Sequence, residues 1–185
     1  MEIHEGERQA SDDFIFKRIG VSIPITSSKD KFDAESAPLQ ALAISNQFGL
    51  TFVDHTTGFY VAKTAELLRV VEDLKDNPQK ALTVQNASMV DIALGGVSIL
   101  TLSSDGLTLA ACVGGTVHFF SVPDLVHKVN FKPFLSTLVY EAQYIREFIW
   151  CMAKENTYLA LSRESTLTCG EIGSSFQHIE EKVTA

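Results

Sequence analysis

Two stretches of this chain repeat one another, and the repeat restricts what it can fold into. Residues 44–53 read Ile-Ser-Asn-Gln-Phe-Gly-Leu-Thr-Phe-Val, and residues 102–111 read Leu-Ser-Ser-Asp-Gly-Leu-Thr-Leu-Ala-Ala. Each is an apolar run ending in Ser, then a polar tight turn carrying Gly, then a second apolar run. Each goes on to another glycine (Gly58, Gly115) and a third run, Phe59-Tyr60-Val61-Ala62 or Val117-His118-Phe119-Phe120. Three short strands per unit, recurring after roughly fifty to sixty residues, are the pattern of a β-propeller blade. One blade buries too little to be stable alone. A chain of 185 residues therefore has to be judged against a ring.

Residues 1–12 are polar and charged without periodicity, which predicts a disordered tail. Phe14 to Ile19 reads as a strand, and Ser22 to Pro38, with its prolines and serines, as a connector. Leu39–Ser45, Leu50–Asp54 and Phe59–Lys63 are three predicted strands joined by hairpin-length links. Thr64–Lys75 changes the rhythm. Leu67, Leu68, Val71 and Leu74 make one helical stripe, Thr64 suits the N-cap, and Arg69 and Asp73 are spaced for an i,i+4 pair. Asn77-Pro78 stops this helix, which is expected to be an insertion on the blade edge.

Leu82–Leu94 is the predicted outer strand, interrupted by Gln85, Asn86 and Ser88 as an edge tolerates. Gly95-Gly96 turns the chain into the second unit: Ile99–Ser103, Thr108–Cys112 and Thr116–Val122. Pro123-Asp124 begins a short helical turn to His127, and Val129–Val139 holds the next outer strand, with Pro133 confining it to an edge. A third, fainter unit follows as Glu147–Ala153, Tyr158–Ser162 and Thr166–Ile172, its turns lacking glycine. Val183-Thr184-Ala185 reads as the start of another apolar run. The expected fold class is all-β: an incomplete propeller over 13–185 with one short inserted helix. Blade one covers about 39–94, blade two about 97–139, blade three about 145–175, and the next starts at about 182–185.

Twenty-three acids against fifteen bases give a formal charge of −8, which argues against a phosphate-binding surface. No apolar run approaches the roughly 18 residues of a membrane span, and the first thirteen residues carry no apolar core of a leader. Cys112, Cys151 and Cys169 form an odd set without paired spacing, read as small buried thiols in a reducing compartment. The expectation is a soluble intracellular protein.

The residues carry no catalytic, cofactor or metal constellation. His4, His55, His118, His127 and His178 show no paired ligand spacing. His118 alternates within a strand and reads equally as a satisfied inner residue or a solvent-facing one. Gly95-Gly96 and Gly114-Gly115 fit hairpin turns rather than phosphate loops. Asp12-Asp13 and Glu180-Glu181 read as solubilising charge. Phe14, Phe16, Phe119 and Phe120 have no flanking cations to make a base-stacking platform, so packing between blades is their expected role.

Certain segments resemble the N-terminal propeller of the CAN-type nucleoporins, large Phe-Gly proteins on the cytoplasmic face of the nuclear pore. Asp13-Phe14 through Phe16 is similar to that family's DFxF opening strand. Leu42 to Leu50 is similar to a family segment of the form LAVSNKYGL. Leu100 to Cys112 is similar to one of the form LALSxDxLTLSAC, and Trp150 fits a Lys-Trp position before a later turn. The resemblance implies a seven-bladed ring followed by a coiled coil and a Phe-Gly tail. It also implies a non-enzymatic docking platform for the DEAD-box helicase of mRNA export, with other nucleoporins as further partners and no direct nucleic acid or membrane. The family's helicase contact lies mainly on later blades, so no interface residue transfers to this chain. With about three blades, no Phe-Gly array and no heptads, the chain is expected to be part of a longer ring. The other function class compatible with the residues is a propeller enzyme or small-ligand binder using the central channel.

Overall fold

The computed structural model describes residues 21–26 and 39–173, together with the backbone of 178–183. Three four-stranded antiparallel sheets follow one another along the chain, each a simple meander. The first contains β1 (Leu42–Ser45), β2 (Leu50–His55), β3 (Gly58–Lys63) and β4 (Ser88–Ala93), with α1 (Thr64–Asp76) and α2 (Val84–Ala87) between the last two strands. The second contains β5 (Ile99–Leu102), β6 (Thr108–Val113), β7 (Thr116–Ser121) and β8 (Leu135–Leu138), with α3 (Val122–His127) before β8. The third contains β9 (Ile145–Trp150), β10 (Thr157–Ser162), β11 (Leu167–Ile172) and β12 (His178–Val183). Sheets of this form, stacked face to face, are propeller blades.

The repeated motif has a local physical basis. Ser45 Oγ accepts from the Phe48 amide at 3.3 Å, and Ser103 Oγ accepts from the Thr108 amide at 2.9 Å. Ser162, though it ends the second strand of its blade, does the same for Thr166 at 3.0 Å. Each buried serine thus satisfies a turn amide that would otherwise lack a partner. The recurring glycines answer a steric demand. A Cβ on Gly58 would lie 1.8 Å from the Ile92 carbonyl oxygen, and one on Gly115 would lie 2.0 Å from that of Tyr140. Blade three meets its turns differently: Asn156 and Ser165 adopt φ of 58° and 65°, a conformation that glycine more often supplies.

Two cores join the blades. Leu50, Phe52, Phe59 and Val61 of blade one pack with Leu100, Leu109, Ala111 and Phe120 of blade two. Phe119 and Val117 of blade two pack with Phe148, Trp150, Tyr158 and Ala160 of blade three. Alternation explains the division, since Phe119 and Phe120 are neighbours in a strand and point to opposite faces.

Several expectations change. Lys63 is the N-cap of α1, because Thr64 is taken into the helix with its amide donating to the Gly49 carbonyl at 2.9 Å. Arg69 pairs with Glu66 at 2.8 Å rather than with Asp73, whose carboxylate meets Lys80 at 3.4 Å. Leu68 is exposed. The predicted strand 82–94 begins as α2, because Thr83 and Asn86 form a reciprocal capping box. Its strand is therefore only β4. Residues 129–134 form a loop, and the outer strand they were expected to enter is confined to Leu135–Leu138. Lys182 and Val183 do not open a new blade. They finish β12, opposite Thr168 and Leu167. The expected tail over 1–12, the Phe14–Ile19 strand and Asp12-Asp13 lie outside the described residues.

Candidate interaction surface

The structure scatters most residues that the sequence offers for chemistry. Phe119 is fully buried, its ring centroid 5.8 Å from Trp150 and 5.7 Å from Tyr158, while Phe120 meets Phe59 edge-on at 5.4 Å. Both are packing residues. Cys112 is buried, and burial pushes its thiol up. Gly95-Gly96 and Gly114-Gly115 sit in turns beside strand ends. His118 Nδ1 lies 2.8 Å from Ser136 Oγ, and partial burial holds its ring below the usual imidazole range. Among the described residues no three His, Cys, Asp or Glu side chains group to hold a metal.

One polar arrangement was not visible in the sequence. His55 is buried at the end of β2, with Nε2 2.9 Å from Asp91 Oδ1. The Thr57 amide donates to Nδ1 at 3.4 Å, so Nδ1 is the acceptor and the proton resides on Nε2. The ring also lies 4.3 Å from that of Tyr60. Burial, then the Asp91 charge, raises the Tyr60 phenol above its usual range. His55 thereby ties the β2–β3 turn to β4. Only the register that puts Tyr60 opposite Asp91 brings these groups together, and a separation of 36 positions hides it from motif reading.

Asp54, its neighbour, points the other way. It stands opposite Phe59, on the face turned toward blade two. It is only 6% exposed, and its Oδ1 finds no hydrogen-bond partner among the described residues. Burial, partly offset by the His55 amide, pushes its carboxyl up to about 7.

Two surfaces have the shape for a partner. One is a cleft of about 410 Å³ between residues 21–26, the end of α1 and the 78–83 loop, lined by Val21, Pro24, Leu74, Pro78 and Leu82. The other is the outer face of blade three. Leu159 stands opposite Ile149 and Cys169, and Leu161 opposite Glu147 and Leu167, so these six side chains share one face. Tyr158 and Ala160 occupy the other face, against blade two. Ile149 is 51% exposed and Leu167 38% exposed.

The sequence matches no family model and no curated protein. Solved structures supply the likeness. The N-terminal domain of Nup159 superposes with a TM-score of 0.54 at 16% identity, covering 80% of this chain and 34% of that one. A chain of the S. cerevisiae complex of Dbp5 with Nup159, Gle1, IP6 and ADP gives 0.54 at 13% identity, covering 88% and 37%. The β-propeller domain of Myceliophteria thermophila Cps50 (Swd1) gives 0.52 at 9%, covering 84% and 41%. The Pseudomonas aeruginosa periplasmic gluconolactonase PpgL gives 0.58 at 14%, covering 95% and 48%. At these identities the likeness establishes the fold: the chain is a partial β-propeller. It spans a third to a half of the length of the structures it matches.

Proposed function

We propose that this chain belongs to a non-enzymatic docking platform of the nuclear pore, acting in mRNA export at the cytoplasmic face. Its partners in this reading are the DEAD-box export helicase and other nucleoporins. One observation carries the reading. The segment Leu42–Leu50, similar in sequence to the CAN-type nucleoporins, builds β1 and the Ser45-held turn of blade one, within a fold that resembles the Nup159 N-terminal domain. Nup159 is found in a complex with Dbp5 and Gle1. A net charge of −8 also suits a basic protein surface, since complementary charge steers association.

The test combines location with binding. The fluorescently tagged chain should mark the nuclear rim, and the purified chain should bind the export helicase more weakly than a complete Nup159 propeller does. That binding should weaken further as salt rises. Diffuse fluorescence together with no helicase binding at low salt would overturn the reading.

A further inference from the structure

We infer that Asp54 is a proton-operated latch between blades one and two: with its proton the rim of their seam closes over it, and without the proton that rim opens locally. Register places the group. Asp54 stands opposite Phe59 at the end of β2 and shares a face with Phe52 and Val61, which belong to the core joining the two blades. It is 6% exposed, and its Oδ1 finds no hydrogen-bond partner among the described residues. An anion loses its hydration there and gains nothing in return, whereas the neutral acid loses far less.

The surroundings supply no counter-charge. The core side chains that β1, β3, β4, β5 and β6 and the 94–98 connector contribute to this seam are all uncharged. His55 turns to the opposite face toward Asp91, and Asp91 and Tyr60 stand opposite one another on that face. Lys63, opposite Leu50, lies at the far end of β2. Asp105, Asp124 and His127 lie beyond the far end of β6, in the turn before Thr108 and in the helix after Ser121. His118 of β7, opposite Ala111, is on the face toward blade one. Partial burial holds its imidazole below the usual range, so it is mostly neutral where Asp54 ionises.

What ionisation disturbs is the passage of the chain from one blade to the next. The Leu94 and Gly95 amides both donate to the Thr57 carbonyl at 3.0 Å, tying the β2–β3 turn to the connector. The connector lies against blade two, since a Cβ on Gly95 would be 3.5 Å from Val113 Cγ1. The Asp54 amide itself donates to the Ala41 carbonyl at 2.8 Å, and the Leu100 amide to that of Gln40 at 2.9 Å. A charged Asp54 reaches water by parting these elements, while the far rim, built on the Ser45 and Ser103 turns, stays shut. In the closed seam the carboxyl titrates at about 7, and in the open one near 4, as an exposed aspartate does. The closed form therefore holds the proton more tightly. Its advantage is lost as pH rises, so the ratio of open to closed grows about tenfold between pH 6 and 8 and is level above that.

Hydrogen exchange read by mass spectrometry tests the latch on the intact chain, once the pH dependence of amide chemistry is divided out. Peptides spanning 94–100 should open about tenfold more at pH 8 than at pH 6. Local opening exposes little surface, so this exchange should ignore sub-denaturing urea, whereas exchange of β10 should rise with it. Asp54→Asn should remove the pH response. In the parent chain the carbon-13 signal of the Asp54 carboxyl should show a midpoint near neutrality, which tests the group without any substitution. Equal opening of 94–100 at the two pH values, a urea response as steep as that of β10, or a pH response retained by Asp54→Asn would each overturn the inference. An Asp54 carboxyl that titrates near 4 in the folded chain would do the same.

Discussion

The two seams of this molecule join identical sheet architectures with different materials. Between blades one and two the filling is mainly aliphatic, with Leu50, Val61, Leu100 and Leu109 around Phe52, Phe59 and Phe120. That seam is also stitched by backbone: the Leu39 and Gln40 amides donate to the Ser98 carbonyl at 2.9 and 3.0 Å, and Leu100 donates to Gln40 at 2.9 Å. Between blades two and three the filling is aromatic, with Phe148 stacked on Tyr158 at 4.8 Å and Phe119 beside Trp150. There the Tyr140 hydroxyl reaches the Ala160 and Thr166 carbonyls at 2.6 and 2.8 Å. The first seam also holds a charge-bearing group, Asp54. The difference shows that a blade repeat specifies strands and faces while leaving the choice of filling to each seam.

The largest test of that contrast is Phe119→Ala. Removing a fully buried ring should cost about 4 kcal/mol in urea-induced unfolding. The single tryptophan, Trp150, lies in this seam and reports it by fluorescence. Fluorescence should therefore be lost at lower urea than the circular dichroism of the remaining sheets. Coincident transitions would show that the two seams act as one cooperative unit.

Asp54 should make the first seam pH-sensitive. Its carboxyl in the folded protein titrates at about 7, above the value near 4 of an unfolded chain. The folded state thus holds the proton more tightly, so this group costs nothing at low pH. Stability falls as pH rises from about 4 through 7 and is level above that. Asp54→Asn should abolish the fall and be more stable at about pH 8, by on the order of 2 kcal/mol. An unchanged pH profile would place the carboxylate in better company than its geometry suggests.

Smaller effects refine the second seam. Tyr140→Phe should lose about 1 kcal/mol, measured by thermal unfolding, because the one hydroxyl proton available to the Ala160 and Thr166 carbonyls is removed while the ring still packs. Ser165→Gly should gain about 0.5 kcal/mol by removing the strain of a left-handed non-glycine residue. A loss instead would mean that the Ser165 side chain contributes to its turn.

Much of the fold was legible because blade strands obey local rules. The alternation around Phe52, Phe59 and Leu109, the serine-held turns and Gly58 and Gly115 all leave marks within a few residues. Blade three was fainter because Asn156 and Ser165 adopt left-handed conformations without announcing them as glycine would. Helix α2 was hidden because a capping box ending in Asn86, in so short an element, resembles a polar interruption of an edge strand. The outer face of blade three was legible as alternation in Leu159 and Leu161, but not as open surface. Exposure depends on whether another sheet arrives.

Taken alone, the sequence determined the blade, because strand period, turn chemistry and the steric need for glycine act between near neighbours. It also determined that the chain holds about three such units and an acidic surface. Only the tertiary structure decided which faces meet. It brought His55 to Asp91, buried Asp54 with an Oδ1 that finds no hydrogen-bond partner among the described residues, and laid Ile23 and Ile25 over the outer face of blade one. Those outcomes depend on sheet register and on the stacking of distant segments, which no local pattern encodes.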